Sequence, residues 1–211
     1  MTRKAAFLEA AGVALDLLRD QRVEERWTDP SALPKMSVGA LAHHLGGQVV
    51  SAHAAAAEPS VAGHDEPVSV LEHYERAAWV RADLDDEANV SIREGAERSS
   101  ADGYNGLLAR VGSALAALQP WPRGAPTVVR MPWWDWCLSA DDFLLTRMME
   151  LMVHADDLAV SLDVATPVFP RVVSRPVTTL LTSIAEQRHG QAALIRALTR
   201  SERAPASIVV F

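Results

Sequence analysis

Thiols are almost absent from this chain: Cys137 is the one cysteine among 211 residues. A disulfide framework is excluded, and so is a zinc site built from several cysteines. The chain suits a reducing compartment, and a cytoplasmic protein is expected. Lysine is nearly as scarce. Of 20 basic residues only Lys4 and Lys35 are lysine, and 27 acidic residues bring the net charge to −7. A nucleic-acid surface needs clustered Lys and Arg, and no basic run interleaved with aromatics occurs, so no nucleic-acid partner is expected. Apolar runs of membrane length are missing too. The opening segment MTRKAAFLEAAGVALDLLRDQ is interrupted by Glu9, Asp16 and Arg19, which fits neither a signal peptide nor a membrane span. Internal repeats, low-complexity segments and a clear domain boundary are also absent.

What remains is a chain 49% apolar and 22% charged, long enough for one domain with a proper core. Its dominant signal is helical. Residues 4–22 put Phe7, Ala11, Ala14, Leu15 and Leu18 on one face. After the turn-rich TDPSALPKM, Ser37 stands as N-cap of a second helix over 38–58, in which Gly46 and Gly47 lower helix propensity and leave room for another backbone. EPSVAGHDEP reads as a loop. A third helical region spans 67–98 with a break near Asp85, and a fourth spans 103–119. The breaker QPWPRGAP leads into TVVRMPWWDWCLS, a short hairpin or extended crossover with Trp133, Trp134, Trp136 and Cys137 near its end. The tryptophans read as packing or, alternatively, as a pocket wall; Trp27 and Trp79 read as packing, and Cys137 as a small buried residue. Ser139 caps a long helix over 140–163, with Asp142 completing an approximate capping box. A last helix over 176–199 and an extended tail follow. The prediction is an all-α protein of one domain, 1–211: a bundle core over about 4–165, then a C-terminal helix and tail over 166–211.

The helix over 140–163 carries an unusual pattern. Arg147, Glu150, His154 and Asp157 recur at steps of three and four. On a helical wheel they fall within about 80° of one another, with Phe143 and Ser161 extending the line. Nearly all the rest of the circumference is apolar, Asp156 being the exception. Such a stripe is either the wetted seam of a bundle helix or a set of ligands turned inward. Glu150 and His154, four apart, project together and can chelate one ion, as in metal sites built inside bundles. Two ligands are too few, so a third must come from elsewhere. Of the seven histidines, His64 reads as solvated in its loop and His73 and His189 as surface residues. His43 and His44 lie mid-helix among apolar residues, His44 on a face with Ser37, Leu41, Gln48 and Ser51.

The ordered pair MSVGALAHHL and, about a hundred residues later, a Ser-capped DDFLLTRMMELMVHADDLAVSL resembles the mycothiol-dependent maleylpyruvate isomerase family, within the DinB-like superfamily of metal-binding four-helix bundles. The resemblance covers roughly residues 4–165. It implies one divalent ion, usually zinc, held by His44, Glu150 and His154, with His43 as the alternative first ligand. It makes Asp157 the acidic residue that orients His154. Arg147 would pair with Glu150 or Asp157, or receive a substrate carboxylate. It further implies that a low-molecular-weight thiol of the mycothiol type binds the ion as thiolate and attacks a small electrophile. The outcome would be S-transfer or cis–trans isomerisation. Members that isomerise maleylpyruvate carry a further α/β domain, whereas about 45 residues follow position 165 here, so the thiol chemistry of the bundle is the expectation. Two other readings share the same helices: a metal-dependent hydrolase with Asp157 assisting proton transfer, and a non-catalytic metal- or ligand-binding bundle. The surplus of apolar helix surface is compatible with a homodimer.

Overall fold

The computed structural model describes residues 2–58, 66–80, 82–83, 85–132 and 134–211. His64 and Trp133, assigned above to a solvated loop and to the aromatic cluster, lie outside the described residues.

Four long helices make the bundle: α1 (Arg3–Leu18), α3 (Val38–Ala57), α6 (Gly103–Leu118) and α7 (Ala140–Leu162). The short α2 (Gln21–Glu25) precedes α3, and α4 (Val70–Arg76) and α5 (Glu87–Ser100) lie between α3 and α6. After α7 come α8 (Arg171–His189) and α9 (Gln191–Thr199). α7 packs against both α1 and α3, and α6 against the same two, so the four close a square around one apolar core. α5 lies against α3, while α8 covers α7 and α1. The segment between α6 and α7 forms a two-stranded antiparallel ribbon, β1 (Val128–Val129) with β2 (Leu138–Ser139). This is the short crossover expected before the long helix. No helix among the described residues is long and apolar enough to cross a membrane.

The caps work as the sequence predicts. The Ser37 hydroxyl accepts from the Ala40 N–H at 3.1 Å, and the Ser139 hydroxyl from the Asp142 N–H at 3.0 Å. Gly46 is needed for contact: a Cβ there would stand 2.7 Å from Val111 Cγ2 on α6, whereas one at Gly47 would meet nothing within 4 Å.

Several boundaries differ from expectation. The first helix does not run to 22: Asp20 is extended, its carboxylate accepts from the Arg22 N–H at 3.0 Å, and α2 starts there, because an Asp satisfies free N–H groups better than it continues a helix. The third helical region is broken as expected near Asp85, but it starts later, at Val70; α4 ends at Arg76, a 3₁₀ turn follows at Ala78–Val80, and α5 begins at Glu87. The last helix begins at Arg171, five residues before Pro176, since the Val173 and Ser174 N–H groups both close onto the Pro170 carbonyl. It is split at Gly190, whose φ of 83° suits glycine and ends a helix. The tail keeps one 3₁₀ turn, Ser201–Arg203, before running on without helix.

Candidate metal centre

The polar stripe of α7 faces inward. Glu150 is only 8% exposed, and Arg147, His154 and Asp157 are half-buried. The wet side of the helix lies at Asp156 and at Val160, which is 60% exposed. Asp156, the one charge in the apolar arc, thus marks the outer edge.

α3 supplies the third member of a cluster. His44 Nε2 lies 3.4 Å from Glu150 Oε2, and His154 Nε2 lies 3.1 Å from the same oxygen. The two imidazoles stand edge to face, 4.6 Å between centroids. One donor atom from each of His44, Glu150 and His154 lies within 4.8 Å of the others. Zinc bonds of 2.0–2.2 Å at tetrahedral angles put donor atoms about 3.3 Å apart. The two short edges here have that length, and two imidazole nitrogens with one carboxylate oxygen suit a borderline divalent ion, so the residues fit. Three ligands from one protein leave a fourth position for a small molecule.

Asp157 completes the arrangement from behind, its Oδ2 2.9 Å from His154 Nδ1. An Nδ1–H donated to Asp157 fixes the ring so that Nε2 faces the cluster, where its proton would give way to an ion. Burial opposes a charge on His154, yet the hydrogen bonds to Asp157 and Glu150 outweigh it and lift its pKa to about 9. Burial likewise opposes charge on Glu150, but hydrogen bonds from His154 and His44 hold its carboxyl well below the usual carboxylate range. The cluster is therefore a carboxylate that attracts cations, framed by rings already oriented toward it.

His43 takes no part. It is 5% exposed and turned to α6, where Arg110 Nη2 donates to its Nδ1 at 2.9 Å, and its ring meets Trp27 edge-on at 5.7 Å. Burial and the neighbouring Arg110 charge lower its pKa, so it stays neutral. Of the roles expected for Arg147, a direct pair with Glu150 or Asp157 is not formed. Its Nη1 donates to Gln48 Oε1 at 2.6 Å and its Nε to Thr146 Oγ1 at 3.2 Å. His73, read as a surface residue, is 2% exposed, because α4 turns it in among Tyr74, Trp134 and Trp136. On this two-turn helix Glu75 and Arg76 point out to solvent. His189 is half-buried, its ring nitrogen meeting the Val209 carbonyl at 2.8 Å. Cys137 is 1% exposed, as a small buried residue should be.

A cavity of about 1000 Å³ reaches the cluster at His44. His44, Gln48 and Arg147 form part of its wall; Arg110, Met131 and Trp134 stand elsewhere around it. Trp134 thus both packs and lines a pocket. Gln48 was missed as a functional candidate, although its position one turn after His44 on the same face was the available signal.

Residues 8–159 match the family described as Mycothiol maleylpyruvate isomerase N-terminal domain. No curated protein and no solved structure matches the chain.

Proposed function

The chain belongs to the mycothiol maleylpyruvate isomerase N-terminal domain family, and from that premise we propose that it is a metal-dependent enzyme joining a low-molecular-weight thiol of the mycothiol type to a small electrophile, or isomerising that electrophile. The observation that carries this reading is the convergence of His44, Glu150 and His154 from two helices, with His44 also lining a large cavity. Those three side chains would hold the ion, zinc on this donor set, and the ion would supply a lowered thiol pKa and so a thiolate near neutral pH.

The rest is done by the chain itself. Asp157 keeps the His154 ring from rotating and fixes which nitrogen faces inward. Arg147 offers a charge to a carboxylate on the electrophile. Apolar and aromatic residues around the cavity, Trp134 and Met131 among them, exclude water and favour addition over hydrolysis. In an addition to an enone the thiol's sulfur bonds the β-carbon and its proton ends on the α-carbon, so nothing else is consumed. Cys137 is too deeply buried to compete as nucleophile. A volume of about 1000 Å³ is at the upper end for small-molecule sites and accommodates a thiol and an electrophile together. A reducing cytoplasm is where such a thiol persists.

The test is conjugation of a model enone by the zinc-loaded protein, followed by mass spectrometry of the adduct. Product should need both thiol and metal, and a chelator should abolish it. Equal consumption of the enone without thiol would instead indicate addition of water, and equal turnover without metal would discard the centre.

A further inference from the structure

Gln48 is 5% exposed, and both ends of its amide are used. Its Nε2 donates to the His44 carbonyl at 2.9 Å, while its Oε1 accepts from Arg147 Nη1 at 2.6 Å. An amide flip would turn an NH₂ toward a guanidinium, so the orientation is fixed. Gln48 therefore ties the turn of α3 that carries His44 to the turn of α7 that precedes Glu150.

The hydrogen bonds of Arg147 all go to neutral groups. Besides Gln48 it donates to Thr146 Oγ1 at 3.2 Å, and that hydroxyl is itself anchored to the Phe143 carbonyl at 2.7 Å. Its guanidinium carbon lies 5.3 Å from the Phe143 ring centre. Among the described residues it makes no ion pair, whereas Arg110, on the same cavity, is paired to Asp102 at 3.0 Å. The Glu150 carboxylate, one turn along, feels the Arg147 charge without forming a direct ion pair with it, so the half-buried guanidinium has no carboxylate bonded to it and can take one from a ligand. Gln48, Arg147 and His44 all reach the same wall. A carboxylate at position 48 would have quenched the cation; the neutral isostere positions it and leaves its charge available.

We propose that Gln48 is a positioning residue: it aims Arg147 into the cavity beside the metal cluster, so that the strength with which the pocket holds a carboxylate, and its preference for an acid over the neutral ester, depend on Gln48. This rests on the thiol-transfer reading for its role in selection, but the receptor itself can be measured without turnover.

The probe is succinate, an unreactive carboxylate, titrated calorimetrically into the zinc-loaded full-length protein. Binding should be seen with the natural sequence, be lost in Arg147→Ala and Gln48→Glu, and weaken about 10- to 100-fold in Gln48→Leu, the loss expected for one charge-assisted hydrogen bond. Zinc content and circular dichroism identify any variant that fails to fold, and Gln48→Asn, which shortens the tether but keeps its chemistry, supplies an intermediate case. In turnover, 4-oxo-2-pentenoate and its methyl ester are compared with mycothiol as thiol. The preference for the acid should fall about 10- to 100-fold in Gln48→Leu, mainly through KM. Succinate binding unchanged by Gln48→Leu and Gln48→Glu, or acid and ester declining equally, would overturn the proposal. Absence of succinate binding in the natural sequence would do the same while leaving ester conjugation, and so the enzyme reading, standing. Conversely, Gln48-dependent succinate binding without any conjugation would keep the receptor and remove the enzyme reading.

Discussion

His154 and His73 are both withdrawn from water, on helices that pack against each other, yet they are held in opposite charge states. His154 has a carboxylate at each nitrogen, Glu150 at 3.1 Å and Asp157 at 2.9 Å, and its pKa rises to about 9 against the cost of burial. His73 receives the Trp136 indole N–H on its Nδ1 at 3.0 Å and packs against the rings of Tyr74 and Trp134. Burial first, and the Arg147 charge second, push it down to about 4. The difference teaches that burial alone assigns no role to a histidine. What counts is whether its nitrogens meet acceptors or donors. Ringed by carboxylates, an imidazole belongs to a cation site; given a donor, it is a packing piece with a fixed tautomer.

The sharpest way to break this contrast is to remove the proposed ligands on one side and the buried ring on the other. His44→Ala, Glu150→Gln and His154→Ala should each abolish tight zinc binding, a larger loss than the 10- to 100-fold typical of an outer partner. His73→Gln should retain one equivalent. Competition against a chromophoric chelator reads all four, and loss of zinc from His73→Gln would erase the distinction.

The second effect is on stability at low pH. His73 has a folded pKa of about 4 against an ordinary 6.5, so in that window the unfolded chain takes up a proton that the folded one refuses. Stability is complete above 6.5 and falls as pH drops toward 4, by roughly 3 kcal/mol from this group. His154 has the opposite sign: its raised pKa gives stability that is present below 6.5 and lost as pH rises toward about 9. Denaturant unfolding between pH 4 and 7 should show a shallower acid decline in His73→Gln than in the natural sequence. Parallel curves would mean that His73 titrates normally.

The bundle was legible because its signals are local: Ser37 and Ser139 cap as spacing predicts, and α7 repeats its apolar residues over six turns. Glu150 and His154 were legible as a pair because i, i+4 geometry is fixed by the helix itself. The choice between His43 and His44 was not, since consecutive residues differ by about 100° and only tertiary packing decides which helix each one meets. His73 was misread for a related reason. α4 has only seven residues, too few for a period to show, and its inner face is set by the Trp134–Trp136 segment more than sixty positions away. Arg147 was recognised as part of the stripe, but its partner Gln48 sits 99 residues earlier, a distance over which spacing carries no information.

A finer test keeps all three proposed ligands and loosens one. Asp157→Asn removes the charge that fixes His154 while leaving a side chain of the same size, and zinc affinity should fall about 10- to 100-fold rather than vanish. A loss as complete as that of His154→Ala would make Asp157 a ligand in its own right instead of an orienting partner.

The smallest expected effect lies on the other histidine. Trp136→Phe keeps an aromatic ring beside His73 but deletes the N–H that occupies Nδ1. A donor on that nitrogen stabilises only the neutral ring, so its removal should raise the His73 pKa from about 4 toward 6.5. The pKa should not arrive there, because burial and the Arg147 charge persist. Overall stability should drop by roughly 1 kcal/mol, the net worth of one buried hydrogen bond. Histidine ring resonances followed by NMR across pH 3–7 read the shift directly. An unmoved His73 would mean that burial and charge alone set its state, and the contrast with His154 would then rest on carboxylates against their absence rather than on acceptors against donors.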